Sequence, residues 1–121
     1  MAKRVLTVDD SKSVRQLISF ALQTEGYEVV EAADGREALE LLENQRFDLI
    51  FTDLNMPVMD GIALIRSTRA RPDCRFIPIV MLTTESADTR KQEGKEAGAT
   101  GWIVKPFQPE LLTSVVKRLV G

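Results

Sequence analysis

The strongest constraint on the fold of this chain is a fivefold alternation between short apolar runs and longer stretches with the period of a helix. The apolar runs are rich in β-branched and aromatic residues, which favours strands. We place the strands at residues 5–8, 27–30, 47–52, 77–82 and 100–104. Strands with so few polar residues are typical of a parallel sheet that is covered by helices on both faces. The alternation therefore predicts a single-domain α/β fold of the doubly wound (βα)5 type over residues 1–121.

The stretches between the strands carry helix signals. Capping residues precede the first four helical stretches, and these are Ser11, Asp34, Asp60 and Ser86. The apolar residues of the first stretch share one helix face, and these are Val14, Leu17, Ile18, Ala21 and Leu22. The last stretch has a similar stripe, made by Leu111, Leu112, Val115, Val116 and Leu119.

The fourth helical stretch differs from the others. Between Asp88 and Glu96 it has no large apolar residue, and Gly94 lies inside it. Such a helix gains little free energy from burial, and a glycine in its interior weakens it further. We therefore expect this helix to be marginally stable.

Composition removes several classes of function. Hydrophobic residues make up 44% and charged residues 28% of the 121 residues, as in an ordinary globular domain. A net charge of −2 argues against nucleic acid as a direct partner. The absence of histidine removes Ser-His-Asp and His-metal chemistry, and the single Cys74 cannot form an intramolecular disulfide. Neither a signal peptide nor an apolar run of membrane-spanning length is present, so we expect a cytoplasmic protein without membrane insertion.

Polar, chemically capable residues follow four of the five predicted strands. Asp9 and Asp10 come after the first strand and Asp53 after the third, while Thr83 and Lys105 come after the fourth and fifth. Each of them alone would be read as a turn former or a solvated side chain. Because ligands of open α/β sheets bind at the carboxyl ends of the strands, their agreement predicts a functional site at this edge.

The residue types at this edge indicate a cation and a phosphate. Carboxylates that crowd together cannot all ionise cheaply unless a cation lies between them. Oxygen ligands without His or Cys select a hard ion, so we expect Mg²⁺, with Mn²⁺ as the alternative. The lysine and the threonine hydroxyl are suited to the oxygens of a phosphoryl group. The set therefore predicts phosphoryl transfer to a carboxylate.

Four segments carry a resemblance to a known family, and these are Asp9-Asp10, residues 52–61, Thr83-Thr84-Glu85 and Lys105-Pro106-Phe107. Together they resemble the receiver domain of bacterial two-component response regulators, of the stand-alone chemotaxis (CheY-like) type. The resemblance covers essentially the whole chain, with every motif in order. It implies a flavodoxin-like five-stranded parallel sheet in the order 2-1-3-4-5.

The resemblance also implies a role for each acidic residue. Asp53 would be the phosphoacceptor. Asp10 and Asp53 would bind Mg²⁺ directly, together with the backbone carbonyl of Asn55, and Asp9 would act mainly through water. The side chains of Asn55 and Glu85 would set the lifetime of the acyl phosphate, in a pairing similar to that of chemotaxis regulators that reset quickly.

A second group of residues would carry the switch. Lys105 would contact the phosphoryl group, and its peptide bond to Pro106 would be cis. Thr83 would turn inward on phosphorylation, so that the aromatic ring of Trp102 packs behind it. Chemotaxis regulators more often have Tyr or Phe at that position, and Trp is bulkier and only donates a hydrogen bond. The alternative for Trp102 is a core residue of the fifth strand.

These roles describe a phosphorylation-activated switch rather than an enzyme that turns over a substrate. The resemblance implies a sensor histidine kinase of chemotaxis type as phosphoryl donor and a downstream target, with a flagellar motor switch as the leading candidate and a phosphatase as a further partner. We expect a monomer that signals through the face formed by the fourth helix, fifth strand and fifth helix. The alternative is an intermediate receiver that passes its phosphoryl group to another histidine protein.

Three other functions share parts of this pattern. A small phosphatase with an Asp nucleophile would carry a second Asp two residues later, where this chain has Asn55. A flavodoxin-like electron carrier would need a phosphate loop after the first strand, where two acids would repel phosphate. A receiver-like module that only binds would not need the complete set of acids, threonine and lysine. A DNA-binding output domain does not fit within 121 residues, although a receiver cut from a larger protein would look the same.

Overall fold

The computed structural model describes residues 2–84 and 88–121, with no description of the side chains at 88 and 89. One parallel sheet has the strand order β2-β1-β3-β4-β5, which confirms the expected order. Its strands are β1 (Arg4–Val8), β2 (Glu28–Ala32), β3 (Leu49–Asp53), β4 (Ile79–Thr83) and β5 (Gly101–Val104). The helices are α1 (Lys12–Thr24), α2 (Gly35–Asn44), α3 (Gly61–Arg69), α4 (Asp88–Ala97) and α5 (Pro109–Val120). A short 3₁₀ turn at Pro72–Cys74 leads into β4.

The sheet buries apolar side chains on both of its faces. Helices α1 and α5 cover one face through a cluster that contains Ile18, Leu22, Leu112 and Val116. Helices α2 and α3 cover the other face, and Ala97 of α4 belongs to the same cluster. Because successive strand residues point to opposite faces, the interior strands β1, β3 and β4 are buried along almost their whole length and are mostly apolar. None of the described helices is both long enough and apolar enough to cross a bilayer.

The capping predictions are confirmed where they can be tested. The side chains of Ser11, Asp34 and Asp60 each accept a hydrogen bond from the backbone amide three residues later. Each bond satisfies one of the amides that a helix start leaves without a partner. The predicted start of the fourth helix at Ser86 lies outside the described residues.

Several details of the predicted elements are wrong, since no predicted strand has the observed bounds and two residues of the apolar stripes are exposed. Leu17 and Leu111 are 41% and 45% exposed, so the apolar stripes of α1 and α5 are wider than the faces they bury. Strand β4 begins at Ile79 rather than at residue 77. Pro78 has no amide to donate, and its carbonyl instead accepts a hydrogen bond from Ile50 just before the strand begins.

Helix α4 is as weakly anchored as its sequence suggests. Over residues 90–97 only Gly94 and Ala97 are buried. Gly94 faces the fully buried side chain of Met81 in β4, and a Cβ atom at this position would overlap the Met81 sulfur and terminal methyl. The glycine therefore lets the helix backbone lie directly on the sheet, at the cost of helix propensity.

We expect Gly94→Ala to lower the free energy of unfolding by about 1 kcal/mol, because the overlap with Met81 outweighs the gain in helix propensity. Urea denaturation of Gly94→Ala, Met81→Ala and the double variant measures this. The double variant should be less destabilised than the sum of the single variants, since removing Met81 makes room for the new methyl group. Simple additivity would contradict the contact.

Candidate functional site

The strand order brings the predicted site residues to one edge of the sheet. Asp9 directly follows β1, and Asp53 is the last residue of the neighbouring strand β3. Lys105 directly follows β5, and its backbone amide donates to the carbonyl of Thr83 at the end of β4 over 2.8 Å. Asp9, Asp10, Asp53, Thr83 and Lys105 therefore lie at the carboxyl edge, and Asn55 lies in the loop after β3. Trp102 does not, because it is the second residue of β5.

Three carboxylates form the centre of this edge. One carboxylate oxygen from each of Asp9, Asp10 and Asp53 lies within 4.8 Å of the others. Asp9 and Asp53 are 0% and 8% exposed, whereas Asp10 is open to solvent. Three oxygen ligands with one open side suit a hard divalent cation that keeps part of its water, so these residues fit Mg²⁺.

The ammonium group of Lys105 bridges two of the acids. Its Nζ atom lies 2.9 Å from Asp9 Oδ2 and 3.2 Å from Asp53 Oδ1. The sequence indicated Lys105 as a phosphoryl contact, but in this state its charge is paired with the acceptor itself. The lysine therefore supplies the cation that a buried pair of carboxylates requires. The bond between Lys105 and Pro106 is cis, as the resemblance implied.

The acidity of Asp53 reflects this environment. Burial raises the pKa of Asp53, and the negative charge of Asp9 raises it further, while Lys105 and the Leu54 amide act in the opposite direction. Burial alone would lower the pKa of Lys105, but its hydrogen bond to Asp9 and the charges of Asp53 and Asp9 leave that pKa raised. The pair thus favours a charged lysine beside an acceptor whose ionised form is costly.

We expect Asp53→Asn to raise the free energy of unfolding at neutral pH when EDTA is present. A raised pKa in the folded state means that ionised Asp53 lowers stability above that pKa, and the neutral amide removes this cost. The advantage of the variant should shrink as the pH falls through the folded-state pKa, where wild-type Asp53 takes up a proton. Urea denaturation at several pH values measures the difference, with Asp73→Asn, on the exposed 3₁₀ turn, as the control. A variant less stable than wild type at neutral pH would contradict this electrostatic account.

The loop behind Asp53 is held tightly against the acceptor. The amide of Leu54 donates to Asp53 Oδ1 over 2.9 Å, and the amide of Gly61 donates to the Leu54 carbonyl over 2.9 Å. A Cβ atom at Gly61 would overlap the backbone carbonyl of Asp53. Between Leu54 and Gly61 the chain makes a γ-turn centred on Val58, whose φ is 71°. The Met59 amide closes this turn by donating to the Pro57 carbonyl over 2.8 Å. A β-branched residue in this region is strained, so the surrounding contacts determine the loop.

We expect Gly61→Ala to lower the free energy of unfolding by about 2 kcal/mol, because backbone atoms rather than a flexible side chain meet the new methyl group. It should also displace Asp53 and weaken Mg²⁺ binding. Gly101→Ala is the matched control, since a Cβ atom there meets nothing within 4 Å. Denaturation and calorimetric Mg²⁺ titration of both variants test the expectation, and equal effects would rule out the close approach.

The structure describes three of the four residues predicted to set the lifetime and the switch. Thr83 is buried at 1% exposure at the end of β4. Trp102 is 43% exposed, so it is not a core residue of β5, and the Lys91 ammonium lies 5.0 Å from the centre of its ring. Asn55 is exposed in the loop after β3, and Glu85 lies outside the described residues. Their roles in lifetime and switching stay predictions.

Sequence reasoning missed Arg15 and Glu31. Arg15 Nη1 donates to the backbone carbonyl of Asp9 over 2.7 Å, and its Nε lies 3.1 Å from a Glu31 carboxylate oxygen. Arg15 lies on the polar part of α1 and Glu31 near the end of β2, so no local pattern joins them to the acids. Only the pairing of β1 with β2, which sets Thr7 opposite Glu31, could have indicated the contact.

Comparison with known proteins agrees with this geometry. The family model for the response regulator receiver domain matches residues 5–117. The chain belongs to this family. As a receiver domain it is 38% identical over 120 residues to the transcriptional regulatory protein SrrA of Staphylococcus aureus, an alignment that covers 99% of this chain and 48% of SrrA. The chain thus spans about half the length of the curated relatives it matches.

Two solved structures are informative for this receiver domain. The chemotaxis response regulator CheY4 of Vibrio cholerae is 52% identical and superposes with a TM-score of 0.95, covering 99% of this chain and 100% of CheY4. The receiver domain of the sensor histidine kinase PA1611 of Pseudomonas aeruginosa is 31% identical with a TM-score of 0.92, covering 100% and 99% of the two chains. The PA1611 domain has a magnesium ion coordinated in its active site cleft.

Proposed function

We propose that this receiver domain is a phosphorylation-activated switch whose acceptor is Asp53. The observation that carries the proposal is the contact of one lysine with two buried carboxylates, beside a third carboxylate open to solvent. An ion pair that only stabilises the fold would need one acid for one base, whereas here three acids lie close together beside one lysine. The excess of acidic groups at an open edge suits a site that admits a cation and a phosphoryl group.

The reaction needs little from the protein beyond positioning and charge. A carboxylate oxygen of Asp53 attacks the phosphorus atom of a phosphohistidine on a donor protein. The new O–P bond forms as the P–N bond breaks, and the leaving imidazole keeps the electron pair of that bond. Lys105 favours the ionised, nucleophilic form of Asp53 before attack and is near enough to pair with a phosphoryl oxygen afterwards. Water later hydrolyses the acyl phosphate and returns the carboxylate and inorganic phosphate.

Asp9, Asp10 and Asp53 would hold Mg²⁺, with the backbone carbonyl of Asn55 as the ligand that the resemblance adds. When bound, the ion supplies positive charge to the phosphoryl oxygens. Asp9 is fully buried and already holds Lys105, so it orients the lysine as well as contributing charge. Asp10 is the exposed acid and therefore the one that meets an incoming hydrated cation.

The signal would leave through Thr83, Trp102 and helix α4. The phosphoryl group adds about −1.5 to −2 charges next to Lys105, whose backbone amide is bonded to the Thr83 carbonyl. Trp102 is opposite Met81 in the β4–β5 pairing, and Met81 is the residue on which Gly94 of α4 rests. A change at the edge thus has a short path to a weakly anchored helix.

A histidine kinase as donor follows from the family, and chemotaxis is the pathway that we favour. The 52% identity with a chemotaxis regulator over nearly the whole chain supports it, with a flagellar motor switch as the target. A phosphorelay intermediate is the second candidate, because the receiver domain of a sensor histidine kinase is also a close structural neighbour. Relatives such as SrrA are longer and are transcriptional regulators, so the role of the whole protein is part of this proposal.

We expect acetyl phosphate with Mg²⁺ to quench the fluorescence of the wild-type protein and leave Asp53→Asn unchanged. Trp102 is the single tryptophan of the chain and is half-exposed, so its emission reports on the proposed switch alone. Intact-mass measurement should show one phosphoryl group on wild type and none on the variant. Asp73→Asn, which changes an acid away from the edge, should behave as wild type. Equal responses in wild type and Asp53→Asn would overturn the mechanism.

A further inference from the structure

We propose that Arg15 is a positioning residue for the cation site, because it fixes the peptide unit that joins Asp9 to Asp10. This inference rests on the proposed function in one respect only, which is that the acidic cluster binds a divalent cation. Arg15 itself does not touch the carboxylate oxygens of the cluster in any described contact. It would act on the cation through the backbone of the acidic pair.

The carbonyl that Arg15 contacts has a particular place in the site. Arg15 Nη1 donates to the Asp9 carbonyl oxygen over 2.7 Å, a short bond of the charge-assisted kind. That oxygen belongs to the peptide unit between the two acids, which is planar. The direction of the carbonyl therefore sets the direction in which the chain enters Asp10. Holding this one oxygen orients the second carboxylate relative to the first.

Asp10 depends on its backbone for its position. Its side chain is exposed, and no other described residue holds the carboxylate by a hydrogen bond or ion pair. On one side the amide of Asp9 donates to the Ala32 carbonyl over 3.1 Å, and on the other the amide of Ser11 donates to Asp9 Oδ1 over 2.9 Å. Arg15 holds the peptide unit that lies between these two bonds. The three bonds together leave the acidic pair little freedom.

Arg15 is itself held in place from a second strand. Its Nε lies 3.1 Å from Glu31 Oε1, and the hydroxyl of Ser19 donates to Glu31 Oε2 over 3.0 Å. The Arg15 side chain is 16% exposed and the Glu31 side chain is 36% exposed, so solvent screens this ion pair in part. Helix α1, strand β2 and the loop of the acidic pair are thus joined through one guanidinium group, whose fork lets it bind two partners at once.

A charge effect and a positioning effect of Arg15 predict opposite results. Removing a positive charge near the cluster would, by electrostatics alone, strengthen the binding of a divalent cation. Releasing the Asp9–Asp10 peptide would weaken binding, because the cation would have to order the ligands that it uses. The sign of the change in the Mg²⁺ dissociation constant therefore separates the two effects.

The test is calorimetric Mg²⁺ titration of wild type, Arg15→Gln and Arg15→Lys. We expect Arg15→Gln to raise the dissociation constant about tenfold, the usual scale for groups that orient metal ligands. Arg15→Lys keeps the charge but cannot bind Asp9 and Glu31 with the same fork, so its constant should be intermediate. In the metal-free proteins, the amide of Ser11 should exchange its hydrogen faster in Arg15→Gln than in wild type.

Arg4 provides a matched control, because it begins strand β1 and the acidic pair follows the other end of that strand. Arg4 Nη1 donates to the carbonyl of Arg46 over 3.2 Å, and its Nε lies 3.5 Å from Glu28 of β2. It therefore repeats the pattern of a guanidinium that joins a backbone carbonyl to a β2 glutamate, but at the edge away from the acids. Arg4→Gln should lose stability because it breaks these two contacts, and it should keep the wild-type Mg²⁺ affinity.

The outcomes separate this inference from the proposed function. Unchanged or tighter Mg²⁺ binding by Arg15→Gln overturns the positioning role, even if Asp53 takes up a phosphoryl group from acetyl phosphate. Equal weakening in Arg4→Gln also overturns it, since the effect would then follow general stability. If wild type binds Mg²⁺ but Asp53 is never phosphorylated, the proposed function fails, and the affinities still decide the role of Arg15. Should Arg15→Gln not fold, the same criteria apply to Arg15→Lys.

Discussion

The site depends on one interaction, the contact of the Lys105 ammonium with both Asp9 and Asp53. Two carboxylates that are largely withdrawn from water repel each other and lose hydration, and the lysine offsets part of this cost. The lysine follows β5 at one edge of the sheet, and its ammonium group reaches the acids that follow β1 and end β3. The electrostatics of the site therefore depend on the strand order of the sheet.

The lysine contact also bears on how the proposed switch would be reversed. A cation or phosphoryl group that enters the cluster replaces an existing ion pair, so the net change in free energy is the difference between two sets of contacts. Under the proposed function, helix α4 is suited to respond to such a modest change, because over residues 90–97 only Gly94 and Ala97 are buried.

Much of the fold and the site could be predicted because their signals are local. Caps such as Asp60 and apolar runs such as β3 are recognised from a few consecutive residues. The predicted strand ends then place Asp53 and Lys105 at one edge of the sheet. Contacts across the sheet are not local. The pairing of Lys105 with two acids, and the link from Arg15 to Glu31, depend on strand register and helix orientation that no short pattern contains. The exposure of Leu17 could not be predicted either, since periodicity shows which face of a helix is apolar but not how much of that face other elements cover.

The Lys105 bridge joins residues that are far apart in the chain. Asp9 and Lys105 are separated by 96 positions, so closing the chain between them costs more conformational entropy than a local contact does. We expect the Lys105 bridge to form after the local contacts of the fold. Before β5 is in place, Asp53 lacks its lysine. Under the proposed function, a partly folded chain would therefore be a poor phosphoryl acceptor.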